Sequence, residues 1–400
     1  MTIEPEKAPG FLTRNFVLVL APRYASSLFL LPMSPTAVSL TVWFLARGID
    51  VRKLEVMSAL ATPRPGSMIA AERREAPVKA IVQEGYGSPK ALKLREVEMP
   101  AYGDDGVLVE VHAASVNALD WHLARGVPFF IPILEAIGAP KHRVRGVDLA
   151  GRVTAVGKNV TRFKPGDEVL GAADGSFAEF TVTTEKRLAP KPAGITFEQA
   201  ATLNVAGLTA LQGLRDRARV RAAQRVLVNG AGGGVGTFAV QIAKWLGAHV
   251  TAVTRAGSVD VVRSIGADEV IDHDAEDFTS RRDRWDVIFD IGGNRPFSRC
   301  RRVMEPDGIL VAIGGPAGRW LAPAGRLLEA VMLSTLTRRR RVVPFVAKSD
   351  PDGLALLAEL VERGTITPVI DRRFALSETA EAVRCLGAGH MRGKVVINTR

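Results

Sequence analysis

The stretch "RVLVNGAGGGVGTFAVQIAKWLGAHVTAV", residues 225–253, constrains this chain more than any other. "RVLVN" is a short apolar, β-branched run suited to a buried parallel strand. Beyond it, Val235, Ala239, Ile242 and Leu246 recur at spacings of four, three and four, which is one face of a helix. Gly247 ends that helix, and "HVTAV" is the next strand. Strand, glycine turn, helix and strand make a βαβ unit, whose two strands must run parallel.

The turn departs from the G-x-G-x-x-G fingerprint. Gly230, Gly233 and Gly236 sit three apart, with Gly232 and Gly234 between them. Glycines here permit positive φ and close backbone approach. The helix N-terminus behind them offers free N–H groups and partial positive charge to a pyrophosphate. A lone turn of this kind also fits a strand–helix joint with no ligand. Repetition decides between the two. Further apolar strands follow at "EVID", "WDVIFDIG", "GILVAIGG" and "RVVPFVA", with helical stretches such as "SVDVVRSIG" between most of them. The alternation predicts an α/β fold with a doubly wound, Rossmann-type parallel sheet. Its crevice would gather residues 230–236, including Val235, with Thr254, Arg255, Gly292, Ile313 and Gly314.

An NAD site places Asp or Glu after the second strand, to hold the ribose hydroxyls. Here Thr254 and Arg255 stand eighteen and nineteen positions beyond Gly236, and the first acid is Asp260. A guanidinium beside a hydroxyl suits a 2′-phosphate, so the expected cofactor is NADP(H).

From Val78 the pattern changes to short alternating strands with Gly/Pro turns, a β-rich module. Seven stretches are then diagnostic: "KAIVQEGYGSP", "ASVNALDWHLARG", "GVDLAGRVTAVGKNVTRFKPGDEV", "NVAGLTALQGL", "VLVNGAGGGVGTFAVQIAKWLGAHV", "VRSIGADEVIDH" and "GHMRGKVVI". Through them residues 78–400 resemble a medium-chain dehydrogenase/reductase of the zinc-free, quinone oxidoreductase-like branch, whose members commonly carry this three-apart glycine spacing. The resemblance implies a GroES-like β-rich domain over residues 77–203, interrupted by a Rossmann domain over 204–347, with 348–400 returning to the first domain. It also implies that Thr209 reaches the nicotinamide and that two copies pair into a homodimer.

Zinc-dependent members of that family allow a residue-by-residue check. Where they carry Gly-His-Glu this chain has Gly146-Val147-Asp148, and where they carry a cysteine ligand it reads "SVNALD". Valine cannot ligate. Cys300 and Cys385 are the only cysteines, so neither a four-cysteine zinc lobe nor a disulfide framework is available. Of the six histidines, at positions 112, 122, 142, 249, 273 and 390, His122 and His142 fall nearest the expected cleft, and both read as ordinary polar residues. The expectation is no metal.

Without a Lewis acid the easier hydride acceptors are conjugated, because the charge spreads into an enolate that a few donors can stabilise. The expected activity is NADPH-dependent reduction of a quinone or an α,β-unsaturated carbonyl. Asn117 is the polar candidate, its amide donating to the substrate oxygen or the nicotinamide ribose; the alternative is an Asn that satisfies its own loop. Asp120 either orients Asn117 or is structural. Tyr86 and Trp121 are candidate pocket walls. Two rivals stand beside this reading, an NAD(P)-dependent alcohol dehydrogenase and a largely non-catalytic NADPH-binding protein.

A net charge of +11 would suit acidic partners, but the arginines are scattered apart from the run 338–341, and nucleic acid is set aside as a partner. Residues 1–76 form an extension with no counterpart in the family pattern. Within residues 16–46, positions 24–46 hold no charged side chain, long enough to span a hydrocarbon core, although Pro32 and Pro35 weaken a helix there. Three readings stay open: a membrane anchor, an amphipathic extension, or a start that belongs near Met68. The expected location is cytoplasmic, or membrane-tethered if the extension is genuine.

Overall fold

The computed structural model describes residues 76–126, 143–313, 329–330, 332–333, 339–389 and 391–400. The expected extension, with residues 16–46, lies outside them, as do Gly314, His142 and His390. Among the described residues no helix is long and apolar enough to cross a membrane.

The chain begins with β1 (Val78–Gln83), paired antiparallel to β2 (Leu92–Val97) and β4 (Arg143–Val144). Between them β3 (Gly106–Val116) runs through the centre of a larger sheet. It pairs antiparallel with β5 (Asp148–Val156) and β7 (Phe180–Thr184), while β6 (Glu168–Ala172) and β8 (Leu188–Pro190) extend the far side. Helix α1 (Ala118–Arg125) leaves directly from the end of β3 and stops at Gly126, whose φ of 63° closes the last turn.

A helical stretch then leads out of this module. It starts at a capping box in which Thr196 Oγ1 accepts from Gln199 N and Gln199 Oε1 accepts from Thr196 N. From α2 (Phe197–Ala201) it passes through wide π-type turns over Leu203–Gly207, then α3 (Leu208–Leu211), then a second wide segment, Gln212–Ala218. Widened turns release backbone groups from the helical ladder. Here the Val205 N–H donates outward, to Asp148 Oδ1 at 3.0 Å.

The βαβ pattern folds as its spacing predicts. Strands β9 (Arg225–Asn229) and β10 (His249–Thr254) flank α4 (Gly234–Trp245). Helix α5 (Val259–Ser264) leads to β11 (Glu269–Asp272), and β12 (Trp285–Asp290), α6 (Phe297–Arg302), β13 (Met304–Ala312) and β14 (Arg341–Pro344) follow. All pairings are parallel, in the order β11-β10-β9-β12-β13-β14. That is the doubly wound order, with the crevice at the switch between β9 and β12. Strand β13 begins at Met304, earlier than its apolar run at Gly308 announces. Met304 pairs with Trp285 before a register shift, so the polar residues between them ride on an irregular strand.

Alternate residues of β9 enter different cores. Val226 and Val228 pack with Phe238, Ile242 and Leu357 on one face, and Leu227 with Trp285, Ile288 and Phe297 on the other. This is the both-faces burial of a parallel sheet with helices on each side. After α7 (Pro351–Glu362), β15 (Ile370–Ala375) and α8 (Thr379–Gly387), the last strand β16 (Lys394–Asn398) pairs antiparallel with β3. The final residues of the chain therefore lie in the first module's sheet.

Candidate functional site

A cleft of about 360 Å³ opens at the carboxyl ends of β9 and β10. On one wall stand Gly230, Gly232, Gly233, Gly234 and Val235, and on the other Asn117 and Lys394. Gly230 takes φ of 93°, and its N–H and that of Ala231 both donate to Val253 O. The chain thus reverses sharply into α4. A Cβ on Gly236 would collide with Gly230 O, and one on Gly232 would fall 2.5 Å from Thr254 Oγ1. Both glycines serve close packing. A Cβ on Gly233 would meet nothing nearer than Gly230 O at 3.7 Å, so this residue faces the open cleft. The first-turn N–H groups of α4, which a helix cannot satisfy internally, point the same way.

Thr254, Arg255 and Ser258 line the cleft with His273 beyond the end of β10. Arg392 approaches the same loop, its Nη2 3.9 Å from where a Cβ on Gly257 would be. Arg255 and the two hydroxyl residues thereby line the cleft where a 2′-phosphate was expected, with Arg392 beside the neighbouring Gly257. The loop after β12 is fastened by Asn229, whose Nδ2 donates to Asp290 Oδ1 at 2.7 Å, while the same oxygen accepts from Gly293 N. Ile291 from this loop lines the cleft; Gly292 follows it, with its N–H donating to Asn229 O.

The opposite wall is a buried polar network centred on Asp148, which is fully buried. Its Oδ2 accepts from Ser115 Oγ at 2.7 Å and Asn117 Nδ2 at 2.9 Å, and its Oδ1 from Asn204 Nδ2 and Val205 N, both at 3.0 Å. Lys394 Nζ donates to Asn117 Oδ1 at 2.7 Å and to Val116 O at 3.2 Å, with Asp148 Oδ2 at 3.4 Å. Burial lowers the Lys394 pKa, opposed by the neighbouring carboxylates of Asp148 and Asp120. Asp120 is buried beside them. Loss of water raises its carboxyl to about 7, against the Asn117 N–H that it accepts at 2.7 Å. Its Oδ1 has no hydrogen-bond partner among the described residues.

Several sequence expectations land elsewhere. The Asn117 amide is in the cleft wall, but both Nδ2 hydrogens are taken, by Asp148 and by Ser115 O at 3.3 Å. It is not a free donor for a substrate oxygen. Asp120 acts on the Asn117 backbone and caps α1, without touching the amide. Tyr86 is 45% exposed, and Trp121 packs on α8, where a Cβ at Gly387 would strike its ring, with Arg125 over its face. Neither ring lines the cleft. Thr209 is buried with its hydroxyl donating to Val205 O at 2.6 Å, and Ile313 packs at the edge of the core; neither lines the cleft. His122 is half-buried beside Trp121 and away from the cleft. The sequence reading passed over Lys394, Ser258, Ala206 and Arg392. The available signal for Lys394 was a lone cation heading the apolar strand "KVVIN".

Two family descriptions match the chain: the alcohol dehydrogenase GroES-like domain over residues 103–193, and zinc-binding dehydrogenase over 265–397. A chloroplastic quinone-oxidoreductase, QR1, of Triphysaria versicolor is 32% identical over 337 residues, covering 80% of this chain and 98% of that protein. An Arabidopsis thaliana protein, NADPH-dependent alkenal/one oxidoreductase, is 33% identical over 335 residues, covering 80% and 79%. Among solved structures, the quinone oxidoreductase from Coxiella burnetii superposes with a TM-score of 0.73 at 30% identity, over 81% of this chain and 99% of that one. The chain belongs to the medium-chain dehydrogenase/reductase family, in its quinone oxidoreductase-like branch, and is an oxidoreductase.

Proposed function

We propose that this quinone oxidoreductase-like chain is an NADPH-dependent reductase that delivers hydride to a conjugated acceptor, a quinone or an α,β-unsaturated carbonyl, without a metal. The carrying observation is the cleft between the glycine loop and the Asn117–Lys394 wall, lined also by Thr254, Arg255 and Ser258, with Arg392 beside Gly257 in the same loop. NADPH, when bound, supplies the hydride. The first-turn N–H groups of α4 would hold its pyrophosphate, and the two arginines its 2′-phosphate. The Asn117 wall and Ile291 would close around the reacting end and hold it against the acceptor.

The residues fit that group better than they fit zinc. Among the described residues no three His, Cys, Asp or Glu side chains come together as a metal site, and Val147 occupies the position of a ligand in zinc-dependent members. The described residues therefore offer no donor set for the zinc in the matched family's description. A conjugated acceptor relieves that need, because its charge delocalises as hydride arrives. The names of the Triphysaria and Arabidopsis relatives support the same acceptor class. We also read the molecule as a homodimer joined at the edge of the parallel sheet, where β14 is the outermost described strand; light scattering decides it.

The test is NADPH oxidation by metal-stripped protein with a naphthoquinone, an enone, an enal and a saturated ketone. Turnover of the conjugated acceptors, unmoved by chelator or added zinc, is expected. Turnover of the saturated ketone alone, or a zinc requirement, would give the site to an alcohol dehydrogenase. Tight NADPH binding with no turnover would leave a non-catalytic binding protein.

A further inference from the structure

The proposed hydride transfer leaves the buried cation Lys394 without a role. Lys394 is 2% exposed and opens β16 directly after Gly393, whose N–H donates to Gly232 O at 2.9 Å. Its stem lies against the start of α4, since a Cβ on Gly234 would come within 2.9 Å of Lys394 Cδ. Its head crosses to the opposite wall and reaches Asn117 Oδ1. One side chain thus spans the gap between the phosphate loop and Asn117.

We propose that Lys394 is a positioning residue for hydride transfer, holding the Asn117 wall of the cleft at a fixed distance and orientation from the phosphate loop. The proposal rests on the reading of this cleft as the NADPH site. An asparagine amide has two ends of nearly equal shape and opposite hydrogen-bonding sense. Lys394 donates to the oxygen end, while Asp148 and Ser115 O accept from the nitrogen end, so only one orientation satisfies all of them.

A plain structural ion pair explains the geometry less well. Asp148 already receives Ser115, Asn117, Asn204 and Val205. Its distance to Lys394, 3.4 Å, is the longest contact of the ammonium, and the shortest goes to the cleft wall. Buried ion pairs also contribute little net stability compared with apolar replacements, and their better-attested use is to fix geometry.

Replacing Lys394 alone strands the Asp148 charge, so Lys394→Met is made both singly and with Asp148→Asn. For each protein one measures NADPH affinity by fluorescence titration, kcat with a naphthoquinone, the isotope effect with 4-deuterated NADPH, and Tm. In the double variant we expect a lower Tm, because an amide at 148 can accept at only one of the two ends that take donors from Ser115, Asn117, Asn204 and Val205. NADPH Kd should stay within about threefold while kcat falls by about a hundredfold, the loss that small misplacement at a reacting centre produces. The isotope effect should grow as hydride transfer becomes limiting. Wild-type kcat in the double variant overturns the proposal, and so does kcat that falls only in step with affinity and Tm. A double variant that does not fold makes the pair structural and overturns it too. If wild type itself neither binds NADPH nor reduces an acceptor, the parent reading fails and takes the proposal with it; the control thus tells the two failures apart.

Discussion

Gly393 donates its N–H to the carbonyl of Gly232 across 2.9 Å, and the two segments run side by side as a parallel bridge between Gly233 and Gly393. The residues that open the last strand of the first module's sheet are therefore bonded to the turn that follows the first strand of the parallel one. Gly393 has φ of 101°, and a Cβ there would collide with Val369 O. Gly393→Ala should lose on the order of 2 kcal/mol of stability, as residues forced into such backbone regions do. NADPH affinity should fall with it, because the strain is applied to the phosphate loop. Urea unfolding together with an NADPH titration reads both; a variant unchanged in both would show that the bridge transmits nothing.

Arg255 and Arg392 predict the choice between nucleotides. Each should contribute a charge-assisted contact to a 2′-phosphate, and removing one such contact costs about 1.5–3 kcal/mol. Arg255→Ala should therefore lower the kcat/KM preference for NADPH over NADH by at least about tenfold, and Arg392→Ala should act in the same direction. If the preference survived in the doubly substituted protein, selectivity would have to come from elsewhere in the cleft.

The parallel sheet and its glycine turn are legible in the chain because both are local. "RVLVN", the turn and the four-three-four apolar spacing lie within about twenty residues, whereas the reversal that sets β9 beside β12 is not a local feature. The start of β13 was not legible, since Met304 joins the strand only through its pairing with Trp285. The cleft wall was harder still. Lys394 meets Asn117 across 277 positions of sequence, and Asn204 meets Asp148 across 56. No periodicity connects such residues. Asn117 could be singled out as polar, but its being fully bonded depends on partners that only the fold delivers.

Asp120 predicts how stability follows pH. Its carboxyl is held up at about 7 by burial, well above the usual carboxylate range. Between about pH 4 and pH 7 the folded chain therefore keeps a proton that the unfolded chain has released. Folding is favoured at the acid end of that window, and stability declines as pH rises through it. The loss levels off above about pH 8 at a total on the order of 4 kcal/mol. Asp120→Asn keeps an acceptor for the Asn117 N–H and cannot ionise. It should unfold at a higher urea midpoint than wild type near pH 8 and match it near pH 5. A gap between the two proteins that stays constant across pH would mean that Asp120 does not titrate in this range.

Gly232 and Gly233 are neighbours in the same loop, yet alanine should act on them differently. At Gly232 the new methyl would stand 2.5 Å from Thr254 Oγ1 and 2.7 Å from Ser258 Cβ, so the loop would be pushed off β10. Gly232→Ala should lower Tm and NADPH affinity together. Gly233 has an ordinary extended conformation, φ −89° and ψ 178°, which alanine adopts without strain. Its methyl would meet no protein atom closer than 3.7 Å and would project into the space assigned to the pyrophosphate. Gly233→Ala should keep its Tm, and its NADPH Kd should rise by about tenfold or more, since a group with no room beside the phosphate must displace it. Thermal unfolding and NADPH titration of the two variants side by side separate loop packing from ligand contact. Wild-type affinity in Gly233→Ala would mean that the pyrophosphate does not lie on this turn.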